Sequence, residues 1–179
     1  ILQTILADTT NLTKIYEIAL IITKCFDNSG HVYICGNGGS AAEALHFSAE
    51  FLGRFKVERK SLPIFSLNAD PAVITSIAND YGYEYIFSHQ LTGILHKNDV
   101  LITLSTSGNS PNIFYALAEA KAIGCTSVCI LGKQSGMCQN HPTISLNIPS
   151  TNVPRIQECQ MILLHILCNL VENIIMQKQ

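Results

Sequence analysis

Short apolar runs alternate with helical segments along most of this chain, and this alternation constrains the fold more than any other feature. The apolar runs have the length and composition of buried strands. We predict five strands, at residues 31–35, 63–67, 99–104, 127–131 and 144–148. Helices are predicted at residues 11–27, 40–52, 70–77, 84–95, 111–123 and 154–177. Alternation of this kind indicates an α/β fold, a doubly wound parallel sheet with helices on both faces, to which the first and last helices are added.

The composition fits a single domain, residues 1–179, that associates with copies of itself. Only 13% of the residues are charged, which is low for the surface of a small monomer, so we expect a homo-oligomer. A net charge of −2 without a basic run argues against nucleic acid as a partner. The apolar stretch at residues 161–168 is too short and too polar to span a membrane. Seven cysteines without a CxxC pair, and no visible secretory signal, favour a cytoplasmic location.

A hydroxyl-rich loop follows the predicted strand at residues 99–104. It contains Ser105, Thr106, Ser107 and Ser110, and Pro111 then opens a helix. A strand end that leads into a helix amino terminus offers unpaired N–H groups and a favourable dipole to an anion. We interpret the loop as a cradle for the phosphate of a neutral sugar phosphate. The alternative is a Ser/Thr-rich turn that only caps the helix.

A glycine-rich turn, residues 36–40, follows the first predicted strand and offers a second anion site. Its glycines do not have the G-x-G-x-x-G spacing, so a dinucleotide fingerprint is absent. The turn could equally be a tight turn that needs positive φ. Ser40 is predicted to cap the next helix, with Glu43 completing a capping box.

The helix after this turn carries His46 and Glu50 one turn apart, on the same face. An imidazole and a carboxylate together suit either a divalent metal or proton transfer. An exposed hydrogen-bonded pair is the alternative. On the last predicted helix, His165 lies among apolar residues, and a histidine in such surroundings is usually a core residue. Gln157, on the same helix, could be an ordinary exposed residue.

Taken together, these motifs resemble the sugar-isomerase (SIS) domain family, in its sedoheptulose-7-phosphate isomerase branch. The matching segments are residues 35–50, 78–82, 105–110 and 154–158, with His165 downstream. The resemblance covers nearly the whole chain from about residue 11. It implies a five-stranded parallel sheet of flavodoxin-like order, a homotetramer with active sites at subunit interfaces, and sedoheptulose 7-phosphate and heptose 7-phosphate as substrate and product.

The resemblance also implies a role for each matching residue. The phosphate would be held by Ser105, Thr106, Ser107 and Ser110. The sugar would contact Asn37, Gly38, Gly39, Ser40, Asn79, Asp80 and Gln157. One zinc ion would be bound by His46, Glu50, Gln157 and His165. Glu50 would also serve as the catalytic base and His165 as the acid.

Two positions depart from the family pattern. Gln160 stands where the family commonly has His, and Glu43 where it often has Asp. A non-catalytic regulator that binds the replication initiator protein is the alternative function. That branch lacks residues matching Glu50 and His165, both of which are present here.

The implied zinc ligands pose a geometric difficulty. Gln157 and His165 are eight residues apart, which is about 12 Å along one straight helix. Zinc ligands all lie within about 2.3 Å of the ion. Either the helix begins after Gln157, or the site is shared between subunits.

Overall fold

The computed structural model of the chain describes residues 1–134 and 136–178, and within them seven α-helices and five strands. The strands are β1 (Val32–Gly36), β2 (Ile64–Ser66), β3 (Val100–Ser105), β4 (Thr126–Leu131) and β5 (Ile144–Asn147). The helices are α1 (Leu2–Ala7), α2 (Thr9–Asp27), α3 (Gly39–Leu52), α4 (Pro71–Asp80), α5 (Ser88–Ile94), α6 (Pro111–Ile123) and α7 (Val153–Met176). A 3-10 turn covers Tyr83–Tyr85. Residue 179, the predicted end of the domain, lies outside the described residues.

The five strands form one parallel sheet in the order β2-β1-β3-β4-β5. This confirms the predicted doubly wound sheet of flavodoxin-like order. The chain crosses to one side after β1 and to the other after β3, so the switch point lies between these two neighbours. Ligands of such sheets bind there, outside the carboxyl ends of the strands. The glycine-rich turn after β1 and the hydroxyl-rich loop after β3 flank this point.

Two apolar cores cover the two faces of the sheet. On one face, α2, α3 and α7 pack through residues such as Phe47 and Leu164. On the other face, α4, α5 and α6 pack through residues such as Phe87 and Leu117. Successive strand residues point to opposite faces, and both faces of β3 are therefore buried. Burial on both faces explains why the strands appear in the sequence as continuous apolar runs.

Two local predictions were wrong, and one helix was not predicted. An additional helix, α1, precedes the predicted first helix. The helix predicted at residues 84–95 is instead the 3-10 turn followed by α5, which starts at Ser88. Ser40 is not the N-cap of α3, and the capping box with Glu43 does not form. The helix starts one residue earlier, with Gly38 as N-cap at φ +55°, a conformation that glycine adopts at little cost.

One described helix, α7, is long and apolar enough to cross a membrane by length and composition alone. The core helix of a globular domain passes the same test. Helix α7 packs against α2 and α3 and buries nine residues, among them Leu163 and Leu167. Its apolar character is therefore accounted for by its place in the first core.

Candidate active site

Asn37 organises a small cleft at the switch point. Its amide exchanges two hydrogen bonds with the amide of Asn112, at 2.9 and 2.8 Å, and its Oδ1 accepts a third from the Tyr83 hydroxyl at 3.0 Å. These residues and Ser110 line a cavity of about 250 Å³. Tyr83 and Asn112 were not predicted as site residues. The only available hints were their positions, directly after the Tyr81-Gly82 turn and at the start of α6.

The hydroxyl-rich loop directs its side chains in different ways. Ser105 is buried, and its Oγ accepts a hydrogen bond from the Gly108 N–H at 3.0 Å. The Ser107 Oγ accepts from the Asn109 N–H at 3.1 Å. Ser110 occupies the N-cap position of α6, but its side chain makes no capping bond. The loop is thus not a simple cap, and the hydroxyl hydrogens of Ser105 and Ser107 are left to donate elsewhere.

Asn79 and Asp80 are the last two residues of α4, which extends three residues beyond the predicted helix. Both are exposed, and the Asn79 Nδ2 donates to the Asp80 Oδ1 at 2.8 Å. The two side chains therefore stand together at the surface, next to the segment that carries Tyr83.

His46, Glu50 and His165 converge between α3 and α7. The His46 Nε2 lies 3.1 Å from the Glu50 Oε1 and 2.9 Å from the His165 Nε2. One ligand atom of each residue lies within 4.8 Å of the other two. Two ligands about 2.0–2.1 Å from a tetrahedral zinc ion are themselves about 3.3 Å apart, so both the spacing and the donor types suit such an ion.

Gln157 is placed elsewhere on α7. Its side-chain amide lies so close to Gly39 that a Cβ added there would collide with it. Gly39 precedes His46 by seven residues on α3, which is about 10 Å along the helix axis. Because α7 already begins at Val153, the option that the helix begins after Gln157 is wrong. Gln157 thus stands at the glycine-rich turn and not beside the His46–Glu50–His165 cluster.

A buried ion pair holds the loop that follows α3, and this loop packs against the His46–Glu50–His165 cluster. The side chains of Arg59 and Glu172 are each 3% exposed, and the Arg59 Nε lies 3.1 Å from the Glu172 Oε1. The Arg59 Nη2 also donates to the Glu50 carbonyl oxygen at 2.9 Å, at the carboxyl end of α3. The loop that these contacts hold presents Phe55 to His165, with ring centroids 5.8 Å apart. Nothing in the local sequence pattern distinguished Arg59 or Phe55.

All seven cysteines are free and buried. Burial raises the pKa of the Cys129 thiol to about 12, and it also raises the pKa of Cys35. A neutral buried thiol is a poor nucleophile. The chemistry of the site therefore rests on its imidazole, carboxyl, amide and hydroxyl groups.

A doubly wound parallel sheet binds its ligands in the loops outside the carboxyl ends of the strands, at the switch point, where the glycine-rich turn and the hydroxyl-rich loop of this chain lie. Residues 2–132 match the SIS domain family, and the chain belongs to that family.

Similar proteins narrow the class further. A phosphoheptose isomerase from Nitratiruptor sp. is 44% identical over 159 residues, which cover 89% of this chain and 85% of that protein. One from Burkholderia pseudomallei is 42% identical over 100% of this chain and 91% of its own length. The solved structure of a phosphoheptose isomerase from Francisella tularensis has a TM-score of 0.87 at 35% identity, covering 90% of this chain and 86% of that one. Within the SIS domain family, the chain therefore groups with the phosphoheptose isomerases.

Proposed function

We propose that this chain is an aldose–ketose isomerase that converts sedoheptulose 7-phosphate to D-glycero-D-manno-heptose 7-phosphate. One observation carries the proposal: His46, Glu50 and His165 converge in a chain that is 44% identical to a phosphoheptose isomerase over most of its length. Imidazoles beside a carboxylate can move protons between neighbouring carbons, which is what this reaction requires.

In this proposal the hydroxyl-rich loop binds the phosphate and the glycine-rich turn binds the sugar. Ser105, Thr106, Ser107 and Ser110 supply hydroxyl donors at the amino terminus of α6, where the helix dipole favours an anion. The sugar hydroxyls contact Asn37, Gly38, Gly39, Ser40, Asn79, Asp80 and Gln157. Phosphate binding far from the reacting carbons contributes energy that positions C1 and C2.

Proton transfer is assigned to two residues. Glu50 takes a proton from C1 of the ketose, which leaves a cis-enediol(ate). The proton of the O1 hydroxyl moves to O2 in the enediol(ate), and His165 is the acid that delivers a proton to C2, which leaves the aldehyde at C1. Exchange with water returns Glu50 and His165 to their starting protonation states. The stacking of Phe55 on His165 holds the imidazole in one orientation beside His46.

We further propose that the cluster holds one zinc ion, with His46, Glu50 and His165 as ligands and Gln157 as the fourth. When bound, the ion would polarise the C1 and C2 oxygens of the sugar as a Lewis acid. The distance between Gln157 and the other three in one chain favours a site completed by a neighbouring subunit.

A homotetramer accounts for the exposed apolar surface. Leu12, Tyr16 and Leu20 follow one another at four-residue spacing on α2 and are 42%, 51% and 43% exposed. An apolar stripe of this kind commonly marks an interface between proteins. We place the enzyme in the cytoplasm, where it supplies heptose precursors for lipopolysaccharide or capsule, without nucleic acid or membrane as a partner.

A coupled assay with sedoheptulose 7-phosphate, with and without a chelator, tests the proposed function. We expect turnover that the chelator removes and added zinc restores. A protein that binds the sugar phosphate but shows no turnover with zinc present would instead favour the regulator that binds the replication initiator protein.

A further inference from the structure

Arg59 caps the carboxyl end of α3 and thereby ties the loop that follows this helix back to it. The Arg59 Nη2 donates to the Glu50 carbonyl oxygen at 2.9 Å, and its Nη1 donates to the Phe51 carbonyl oxygen at 3.0 Å. The last carbonyls of a helix have no partner within the helix, and the helix dipole favours a cation there. Arg59 is therefore one anchor of the loop, on the α3 side.

Glu172 anchors the same loop to α7. Its Oε1 accepts from the Arg59 Nε at 3.1 Å, and its Oε2 accepts from the backbone N–H groups of Lys56 and Val57, each at 3.2 Å. Both carboxylate oxygens are thus used, and both side chains of the ion pair are buried. Desolvation offsets much of the attraction within such a pair, so apolar side chains of similar size can often replace it without loss of stability.

The anchored loop places Phe55 against His165. The two rings are stacked, with their centroids 5.8 Å apart and their planes inclined by 28°. Lys56, the next residue, donates from its Nζ to the Asn169 Oδ1 at 2.9 Å, which adds a contact between the loop and α7. Because His165 is only half-buried, the stacked ring of Phe55 limits the rotation of its imidazole.

We propose that Arg59 and Glu172 are positioning residues that act on His165 through Phe55. Their contacts lie at the carboxyl end of α3, whereas the glycine-rich turn lies at its amino end. Loss of the pair should therefore slow proton transfer and leave sugar-phosphate binding unchanged. The inference deepens the proposed function and rests on it, because His165 is the acid of that proposal.

The first test is the double variant Arg59→Met with Glu172→Leu, which replaces the ion pair by apolar side chains of similar length. We expect kcat for sedoheptulose 7-phosphate to fall about tenfold or more, since a small misplacement of a reacting group is enough for such a loss. KM should change by less than about twofold. The matched control, Asp27→Asn with Lys178→Gln, removes an exposed ion pair and should leave both constants unchanged. An unchanged kcat in the first double variant would overturn the proposal.

Substitutions of Phe55 test the same step with the ion pair intact. Phe55→Leu removes the stacked ring but keeps an apolar side chain, so it should lower kcat as the loss of the ion pair does. Phe55→Tyr keeps the ring and should retain the wild-type kcat. Combining Phe55→Leu with the loss of the ion pair should add little, because both changes break one chain of contacts. Fold-changes in kcat that multiply would overturn the proposal.

Failure of the proposed function gives a different result, namely no turnover of sedoheptulose 7-phosphate by the wild type. Nuclear Overhauser effects between the Phe55 and His165 rings, measured in the metal-free protein, then test the positioning directly. We expect these effects in the wild type and their loss in Arg59→Met with Glu172→Leu. Arg59→Lys, which keeps the charge but not the planar set of donors, should weaken them and serves if the double variant unfolds. Undiminished effects in the folded variant would overturn the proposal without any reference to catalysis.

Discussion

The Nε2 atoms of His46 and His165 lie 2.9 Å apart, although 119 residues separate them in the sequence. Two imidazole nitrogens at this distance either share one proton or converge on one cation. The contact joins α3 to α7 and places Glu50, 3.1 Å from His46, in the same cluster. Base and acid of the proposed reaction therefore come from one chain.

Replacing Glu50 by Gln tests the assignment of the base. The amide keeps the size of the side chain but cannot accept a proton. We expect turnover to fall by at least about a hundredfold, the usual scale for loss of a general base. The melting temperature should change little, since Glu50 is partly exposed. Near-normal turnover in Glu50→Gln would remove this residue from the mechanism.

The double variant Ser107→Ala and Ser110→Ala tests the phosphate cradle. Each lost hydrogen bond to a charged group should weaken binding by about 1.5–3 kcal/mol. Titration calorimetry with sedoheptulose 7-phosphate measures the loss, and Ser76→Ala, an exposed serine of α4, is the control. If free sedoheptulose binds the wild type as tightly as its phosphate does, the loop is not a phosphate site.

Subunit mixing tests whether the active site is shared. Glu50 and His165 belong to one cluster, so mixing Glu50→Gln with His165→Ala should restore no activity. Mixing Glu50→Gln with the double variant Ser107→Ala and Ser110→Ala should restore part of the activity. In a mixed oligomer, the unchanged hydroxyl-rich loop of the first variant can face the unchanged His46–Glu50–His165 cluster of the second, which gives one intact site. Activity in a protein that sediments as a monomer would exclude a shared site.

The buried Glu43 predicts how stability depends on pH. Its pKa is raised in the folded protein from 4.5 to about 7, so the folded state binds the proton more tightly than the unfolded state does. The stabilisation is complete below pH 4.5 and is lost as pH rises through 7. Between pH 5.5 and 8, the free energy of unfolding of the wild type should fall by about 2 kcal/mol more than that of Glu43→Gln.

Urea unfolding at both pH values, with the protein concentration held constant, measures this difference. An identical pH dependence in the two proteins would show that Glu43 is ionised in the fold at neutral pH.

The sheet could be predicted from the sequence because burial on both faces makes each strand a continuous apolar run. The hydroxyl-rich loop and the His46–Glu50 pair were also visible, since their spacing is local. The prediction that Ser40 is the N-cap of α3 was wrong, although a serine before an apolar helix is commonly a cap. A tertiary contact to Gln160, 120 residues away, uses its hydroxyl instead.

Other parts of the site depend on contacts that no local pattern records. Tyr83 reaches Asn37 across 46 residues, and Arg59 reaches Glu172 across 113. Gln157 and His165 lie on one helix as predicted, but only the packing of α7 on α3 shows that Gln157 contacts the first residue of α3 whereas His165 contacts His46, about two turns further along. Spacing along the chain gives no information about such pairs.

The most direct test of the proposed isomerase is proton NMR of sedoheptulose 7-phosphate incubated with the zinc-loaded protein in D₂O. Transfer through Glu50 and His165 exposes the moving proton to solvent. We therefore expect D-glycero-D-manno-heptose 7-phosphate to accumulate with deuterium at C2, and the Glu50→Gln protein to form none. An unchanged sedoheptulose 7-phosphate spectrum with the wild-type protein would contradict the account.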